Sequence, residues 1–455
     1  MPVSKRRPGA GRAPAVATPP SLTPEEAMAK AVEWHRIGKL DLAEPIYAVL
    51  LQRWPDHVDV LNHYGVLKHQ RGDSAAALQM IGRATELAPE NPSPWNNLGN
   101  VLLRARRLDE AEAAFRRCLA LRPDSAEALT NLARVHRRRR EWPEAEAACR
   151  RAIELAPGFR DAWYALSLVL IDSGRVPEGI VANARATTLL PPHRRQRATF
   201  ARALVLAGEI DAAAQAYREW LAEEPDNPVV RHHLAACEQR ATPERAADAY
   251  VEKVFDDFAD SFDAKLQSLG YRAPQLVAEA LQQTLPPPAR QFDVADLGCG
   301  TGLCGPLVRP WARRLIGCDL SAGMLEQARR REVYDVLEKA ELVQFLSDHP
   351  AGFDVLLSAD TLCYFGELGE MAQAAARCLR PGGTFAFTVE ALAEGDAEPH
   401  RLLPHGRYAH GRTYVESVLA EAGLDVAAVQ PVVLRSEGGR DVNGWLALAR
   451  RSIAQ

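Results

Sequence analysis

Apolar positions follow two different periods along this chain, and the change falls just past its middle. Up to about residue 240 they recur three and four residues apart, the spacing of one helix face, and this helical pattern itself repeats. Pro55, Pro89, Pro123, Pro157, Pro191 and Pro225 return every 34 residues. Around them other residues keep register: Trp95, Leu98, Gly99, Leu102, Ala111, Phe115 and Pro123 in one unit, and Tyr64, Gly65, Ala77, Ile81 and Pro89 in the unit before. Leu129, Leu132, Ala133, Ala145, Ala152 and Pro157 follow, then Trp163, Leu166, Ala186 and Pro191. The first unit (Ala31, Ala43, Tyr47, Pro55) and the sixth (Ala201, Ala213, Tyr217, Pro225) keep fewer of these positions. Small residues such as Gly99, Ala111 and Ala145 let two helices approach, while Trp95, Leu98 and Phe115 fill the seam. Proline ends the second helix because it cannot continue the hydrogen-bond ladder. One such pair cannot bury its apolar face alone, so the units are predicted to stack into an α-solenoid with a concave groove. Asn227 as N-cap and Pro228 at the first helical position predict one more helix, to about Arg240, closing the array.

The period and the residues in register resemble tetratricopeptide repeats. Two polar sets stand out in the array. Asn62, Asn96, Asn97, Asn100 and Asn131 fall on the first helices, at or near the groove. An amide both donates and accepts, so Asn62, Asn96, Asn100 and Asn131 are either a grip on the backbone of an extended peptide or exposed polar filler. Arg104, Arg106 and Arg107 return one repeat later as Arg137 to Arg140. They are either a basic stripe for an acidic partner or solvated cations at helix C-termini, where the dipole favours them. A protein or peptide in the groove is the expected partner; nucleic acid is not.

From Phe292 short apolar runs alternate with helical stretches, the pattern of a parallel sheet with helices on its faces. Strands are predicted near 292–297, 314–319, 335–340, 353–358 and 383–389, and helices near 303–313, 322–332, 367–380 and 411–422. Closing strands near 425–435 and 441–449 predict an antiparallel hairpin. Four segments result: a disordered tail over 1–22, repeats over 23–240, a helical linker over 241–289 and an α/β domain over 290–455. In the linker Tyr250, Phe255, Phe258 and Phe262 recur at near-helical spacing, either as core packing or as a lid.

The chemistry concentrates at Asp296-Leu-Gly-Cys-Gly-Thr-Gly302, between the first predicted strand and the next helix. Glycines there permit backbone angles that a Cβ forbids and let a ligand approach the main chain. Asp319 ends the second predicted strand, where an acid holds a ribose hydroxyl pair. Gly300-Thr-Gly302-Leu-Cys-Gly305 also spells a dinucleotide fingerprint, so the turn alone leaves an NAD-dependent enzyme open.

Asp296 ahead of the glycines, Asp319-Leu-Ser-Ala-Gly-Met324, Phe353-Asp354-Val-Leu-Leu-Ser358 and Arg380-Pro-Gly-Gly383 together resemble class I S-adenosylmethionine-dependent methyltransferases. The resemblance runs to the end of the chain and implies a Rossmann-like domain with a seven-stranded, mostly parallel sheet. It implies S-adenosylmethionine as cofactor, held by Asp296, Gly298, Gly300, Gly302, Asp319, Met324, Glu341, Leu342 and Ser358. Met324 and Leu342 would sandwich adenine. Glu341 stands where the family usually has an aspartate for the adenine amino group. Catalytic candidates, as general base where the acceptor carries a proton, are Asp360 and Tyr364 after the fourth strand and His410 before the last helix, with Tyr408 and Tyr414 beside it; His410 is either a base titrating near neutrality or a structural hydrogen-bond partner. Arg435 and Arg440 flank the last turn and are either solvated or ready for an acidic substrate. The lead-in Val254 to Asp263, Tyr271-Arg272 and Arg407-Tyr-Ala-His410 resemble a group of bacterial methyltransferases that carry tetratricopeptide repeats. A repeat scaffold around an inactive methyltransferase fold is the alternative from the interaction class.

Composition narrows this picture without changing it. The 455 residues suffice for more than one core, and a net charge of −4 does not call for nucleic acid or an anionic membrane. No apolar run approaches a membrane span, and Met1 to Pro20 has Lys5, Arg6 and Arg7 without an apolar core behind them, so no secretory signal is expected. The 8 cysteines lack paired or zinc spacing, which predicts reduced thiols in a cytoplasmic protein and no metal site.

Overall fold

The structure is a computed structural model that describes residues 23–239, 242–437 and 440–453. The expected N-terminal tail, 1–22, lies outside the described residues. The chain forms two compact units, one ending at Ala165 and the other beginning at Leu166.

The first unit consists of helix pairs: α1 (Pro24–Arg36) with α2 (Leu40–Arg53), α3 (Val58–Gln70) with α4 (Ser74–Leu87), α5 (Pro92–Arg104) with α6 (Leu108–Leu121), and α7 (Ala126–Arg139) with α8 (Trp142–Leu155). It ends within α9 (Arg160–Asp172). The small residues act as the pattern requires: a Cβ at Gly99 would lie 2.5 Å from the ring of Phe115, so nothing larger fits that seam. The prolines at 55, 89, 123 and 157 follow directly on each second helix or its cap residue. The turn inside each pair needs one left-handed residue. Gly38, Gly72, Gly174 and Gly208 supply it with φ of 77°, 90°, 87° and 77°. Arg106 and Arg140 occupy the same repeat position with φ of 61° and 62°.

The second unit continues with α10 (Val176–Thr188), α11 (Arg197–Leu206), α12 (Ile210–Glu223) and α13 (Pro228–Glu238), the last capped by Asn227 as expected. The linker folds as α14 (Asp248–Asp256), α15 (Phe262–Ser268) and α16 (Ala273–Thr284). The strands are β1 (Phe292–Leu297), β2 (Ala312–Asp319), β3 (Val336–Lys339), β4 (Phe353–Ser358), β5 (Leu379–Ala391), β6 (His400–Leu402), β7 (Tyr408–His410), β8 (Leu424–Glu437) and β9 (Arg440–Arg451). Between them lie α17 (Gly305–Val308), α18 (Ala322–Arg329), α19 (Leu342–Asp348), α20 (Gly369–Cys378) and α21 (Arg412–Glu421).

β3, β2, β1, β4 and β5 run parallel in that order, and β9 then pairs antiparallel with β5 and with β8. This main path has the expected seven strands and the closing hairpin. Alternate residues of the central strands face two cores, as a sheet covered on both sides demands. Ala295, Leu297, Leu356, Phe385 and Phe387 pack with residues of α19, α20 and α21, while Val294, Val355, Leu357 and Ala386 pack with α16.

Three differences from the expectations have plain causes. The helix after the glycine turn covers only Gly305–Val308, because Pro306 fixes its start and Pro310 forbids its continuation. α19 occupies a stretch with no predicted helix; Glu341 caps it by accepting from the Gln344 N–H at 2.9 Å. β6 and β7 form an extra short hairpin on the end of β5, through Glu390 and Ala391.

Candidate functional site

The carboxyl ends of β1, β2 and β4 open into one cavity of about 1020 Å³, counting the solvent at its mouth. Parallel sheets bind ligands at this edge, where the strand order changes direction. Main chain from Gly298 to Thr301 forms one wall, and Asp319, Leu320, Glu341 and Leu342 form the next. Phe255, Phe262 and Leu266 of the linker line it too.

Asp319 organises the glycine turn before any ligand arrives. Its Oδ2 accepts from the Gly300 N–H at 2.9 Å and its Oδ1 from the Ser321 N–H at 2.8 Å. Burial pushes its carboxyl up, and those N–H groups oppose the shift. The linker is fastened over this region. Asp256 Oδ1 accepts from Ser321 Oγ at 2.5 Å and from the Gly323 N–H at 3.0 Å, and Thr301 Oγ1 donates to Asp263 Oδ1 at 2.5 Å. Tyr250 belongs to the core, whereas Phe255 and Phe262, with rings 6.0 Å apart, line the cavity.

Glu341 has a buried Oε1 without a hydrogen-bond partner, with Arg245 Nη1 3.6 Å away. Main chain at Gly300 is open: a Cβ there would meet only a Phe262 ring carbon, at 4.0 Å. A carboxylate with unused lone pairs, an unpartnered acceptor and bare main chain in one cavity fit a nucleoside bearing an amino group.

Several expected residues lie behind this wall instead of in it. Met324 is fully buried and does not line the cavity; Leu320 does, so Leu320 and Leu342 are the apolar pair. Asp296 is buried with its Oδ2 accepting from the Tyr334 hydroxyl at 2.6 Å, and burial pushes its carboxyl up to about 7. Ser358 is buried, with Oγ donating to the Leu297 carbonyl at 2.9 Å, and so ties β4 to β1. Gly302, with φ of 84°, meets the Tyr334 ring and not the cavity.

At the far end Asp360, Thr361, Tyr364 and Arg407 line the cavity with Tyr271. Asp360 has a left-handed backbone, φ of 59°, and its N–H donates to Thr388 Oγ1 at 2.9 Å. Burial pushes its carboxyl up to about 6, with Arg407 opposing, and Arg435 Nη1 reaches both of its oxygens at 3.1 Å. Arg435 is buried and also bonds Glu390 and Glu437, so it neither meets solvent nor reaches a substrate. Burial pushes the Tyr364 hydroxyl far up, which makes it a donor and not a base. His410 is not at the cavity. It is buried in β7 with Nε2 2.8 Å from the Phe365 carbonyl, and burial pushes it down to about 4. The Tyr414 hydroxyl accepts from the Leu368 N–H and the Tyr408 hydroxyl donates to the Pro243 carbonyl, both on structural duty. Thr361 and Arg245 had no local signal. Tyr271 and Arg407 stood only inside family-like segments.

In the first unit the asparagines join neighbouring repeats. Asn131 Nδ2 donates to Asn96 Oδ1 at 3.1 Å, Asn97 Nδ2 to Asn62 Oδ1 at 2.9 Å, and Asn62 Nδ2 to Ser93 Oγ at 3.3 Å. Asn62, Asn96 and Asn131 are buried, so they are not exposed filler, and their bonds to one another leave less of each amide for a peptide. Asn100 lines a shallow pocket with Arg104, Glu127, Asn131 and Arg134. The arginine stripe is partly neutralised, since Arg107 pairs with Glu110, and Arg139 with Asp109 and Glu112. No helix among the described residues is long and apolar enough to cross a membrane.

Comparison with known proteins adds two family matches and three relatives. Residues 295–387 match the methyltransferase domain family, and residues 36–92 and 96–159 match a tetratricopeptide repeat family. The chain is 35% identical over 137 residues to human methyltransferase-like protein 27, covering 30% of this chain and 56% of that protein. It is 30% identical to the biotin biosynthesis bifunctional protein BioHC of Saccharophagus degradans, covering 43% of this chain and 35% of that one. It is 29% identical to a ubiquinone biosynthesis O-methyltransferase of Chelativorans, covering 37% of this chain and 77% of that one. The chain thus spans about half or less of the first two relatives. These matches imply S-adenosylmethionine as the cofactor.

Proposed function

We propose that this chain, which carries tetratricopeptide repeats and a methyltransferase domain, moves a methyl group from S-adenosylmethionine to an acceptor held beside Asp360, Tyr364 and Arg407. The observation that supports this most is the buried Glu341 Oε1, without a hydrogen bond though 3.6 Å from Arg245 Nη1, in the same cavity as Asp319 and the open main chain at Gly300. When bound, S-adenosylmethionine supplies a methyl group on a positively charged sulfur, ready for in-line displacement. Asp319 holds the ribose hydroxyls through charge-assisted hydrogen bonds. Glu341 Oε1 would accept from the adenine amino group, and Leu320 and Leu342 would supply apolar contact to the base. Gly298 and Gly300 admit the methionine part. The protein's main task is then to orient the acceptor and exclude water. Phe255, Phe262 and Leu266 cover the cavity. Where the acceptor carries a proton, Asp360 takes it, since a carboxyl at about 6 is charged at neutral pH.

The repeat array, in this reading, recruits a protein partner or the substrate. The pocket of Asn100, Arg104, Asn131 and Arg134 supports a site for a peptide with acceptor groups. Titration calorimetry with S-adenosylmethionine and with NAD tests the cofactor reading. Asp319→Ala is expected to weaken S-adenosylmethionine binding on the order of a hundredfold. Tighter binding of NAD, or no change in the variant, sinks it. Methyl-labelled cofactor incubated with cell lysate separates an enzyme, which labels an acceptor, from a scaffold, which labels nothing.

A further inference from the structure

β6 and β7 add nothing to the main path of the sheet, yet they carry Arg407 into the cavity wall. Their turn is held from outside by α13, the helix that closes the repeats. His232 Nε2 donates to the Gly406 carbonyl at 2.8 Å, and Gln239 Nε2 donates to the Leu402 carbonyl at 2.6 Å. Ala236 packs with Leu402 and Tyr408. Gly406, with φ of 94°, is pressed so closely that a Cβ would lie 2.9 Å from the His233 ring and 3.0 Å from the Tyr250 hydroxyl. A line of rings runs the same way. Tyr217 of α12 stacks on His233 at 5.6 Å, His233 meets Tyr250 edge-on at 6.0 Å, and Tyr250 lies 6.4 Å from cavity-lining Tyr364.

We propose that α13 is a positioning element of the cavity: by clamping the β6–β7 turn it fixes the Arg407 guanidinium at the acceptor end, so the closing helix of the repeats governs that end independently of the cofactor end. The inference rests on the methyl-transfer reading of the cavity. The Arg407 side chain is held by the Tyr364 hydroxyl and by the charges of Asp360 and Glu390. Its Nη1 reaches Glu390 Oε1 and Glu437 Oε1 at 3.2 Å each, long for charge-assisted bonds, and Glu437 is 41% exposed. Those partners reach the guanidinium only while its backbone stays in place, and α13 holds that backbone at Gly406 and Leu402. The groups of the cofactor end hang elsewhere: Asp319 on β2, Gly300 on the turn after β1, and Glu341 at the start of α19. Their hydrogen bonds run to Gly300, Ser321 and Gln344, and α13 approaches them through α14, where His232 stacks on Tyr250 at 3.9 Å and Asp256 holds Ser321.

Phenylglyoxal, which adds to guanidinium groups, tests this in the full chain, with its rate at Arg407 read by peptide mass spectrometry. Calorimetry with S-adenosylmethionine runs alongside. His232→Phe keeps a ring over Tyr250 and removes the donor, Gln239→Ala removes the second donor, and His232→Gln keeps a donor for the Gly406 carbonyl. Losing a donor to a buried carbonyl is expected to raise the Arg407 rate on the order of tenfold in the first two variants, with cofactor affinity unchanged. His232→Gln is expected to return the rate toward wild type. An unchanged rate in both donor-less variants overturns the proposal. So does a rise that comes with loss of cofactor binding and is not rescued by glutamine, since that marks general loosening. A wild-type chain that fails to bind S-adenosylmethionine refutes the methyl-transfer reading instead, while the labelling still reports on the clamp.

Discussion

Gly300→Ala adds a single Cβ at a left-handed main-chain position, φ of 54°, in the cavity wall. The conformational cost of that angle for alanine is about 1 kcal/mol. No steric cost is added, because the nearest atom to the new Cβ is a Phe262 ring carbon at 4.0 Å. The variant should therefore fold, with its melting temperature lower by about 2–4 °C for a domain of this size. The methyl group does, however, fill the space through which a ligand reaches the main chain. Overpacking of that kind costs about 1–3 kcal/mol, so S-adenosylmethionine should bind about ten- to a hundredfold more weakly. The neighbouring glycines behave differently. A Cβ at Gly298 would collide with Cγ2 and Oγ1 of Thr361, and one at Gly302 would lie 2.8 Å from the Tyr334 ring. Gly298→Ala and Gly302→Ala should lose stability first and ligand second. Differential scanning fluorimetry and titration calorimetry on the three variants separate the effects. Gly300→Ala binding S-adenosylmethionine within about threefold of wild type would falsify the assignment of that main chain to the ligand.

Other outcomes follow from the same geometry. Glu341→Ala removes the unpartnered acceptor and the α19 cap together; it should lower cofactor affinity about tenfold and stability by about 1 kcal/mol, and calorimetry showing normal affinity refutes the adenine contact. Burial pushes the Glu390 carboxyl up to about 8, against Arg407 and with Asp360 and Glu437 adding to the shift. A raised carboxyl stabilises the fold fully below its unfolded value of about 4.5, and this contribution is lost as pH rises through about 8. Glu390→Gln should therefore remove a fall in unfolding free energy over that window, and urea titrations with the same pH slope in both proteins contradict it. Arg106→Gly and Arg140→Gly relieve left-handed arginines and should each stabilise the repeats by about 0.5 kcal/mol, after allowing for the looser unfolded chain. Gly72→Arg, where a Cβ meets nothing within 4 Å, should do the reverse, and a neutral result in urea unfolding removes the conformational argument.

Repetition and strand ends were legible in the sequence; side-chain direction and long-range charge were not. The prolines and small residues of the array repeat a local constraint, so each copy reinforces the next. The glycine turn and Asp319 announce themselves because they need particular backbone angles beside a strand end. Met324 and Leu320 sit four residues apart beyond the same strand, and which of them meets the cavity depends on where α18 begins. The group of Asp360, Glu390, Arg407, Arg435 and Glu437 assembles from separate stretches of chain, so no window of sequence contains it. β6 and β7 are three residues each, too short for an alternating pattern. In sequence His410 is a titratable ring just ahead of a helix; in the fold its Nε2 faces the Phe365 and Gly366 carbonyls.

The amide contacts from Asn131 to Asn96 and from Asn97 to Asn62 set the behaviour of the array as a mechanical object. The apolar seams are close-packed and fix how near the helices lie, but their contacts carry little direction. Directional bonds placed one repeat apart, from Asn131 to Asn96 and from Asn97 to Asn62, add a preferred register between successive pairs to that packing.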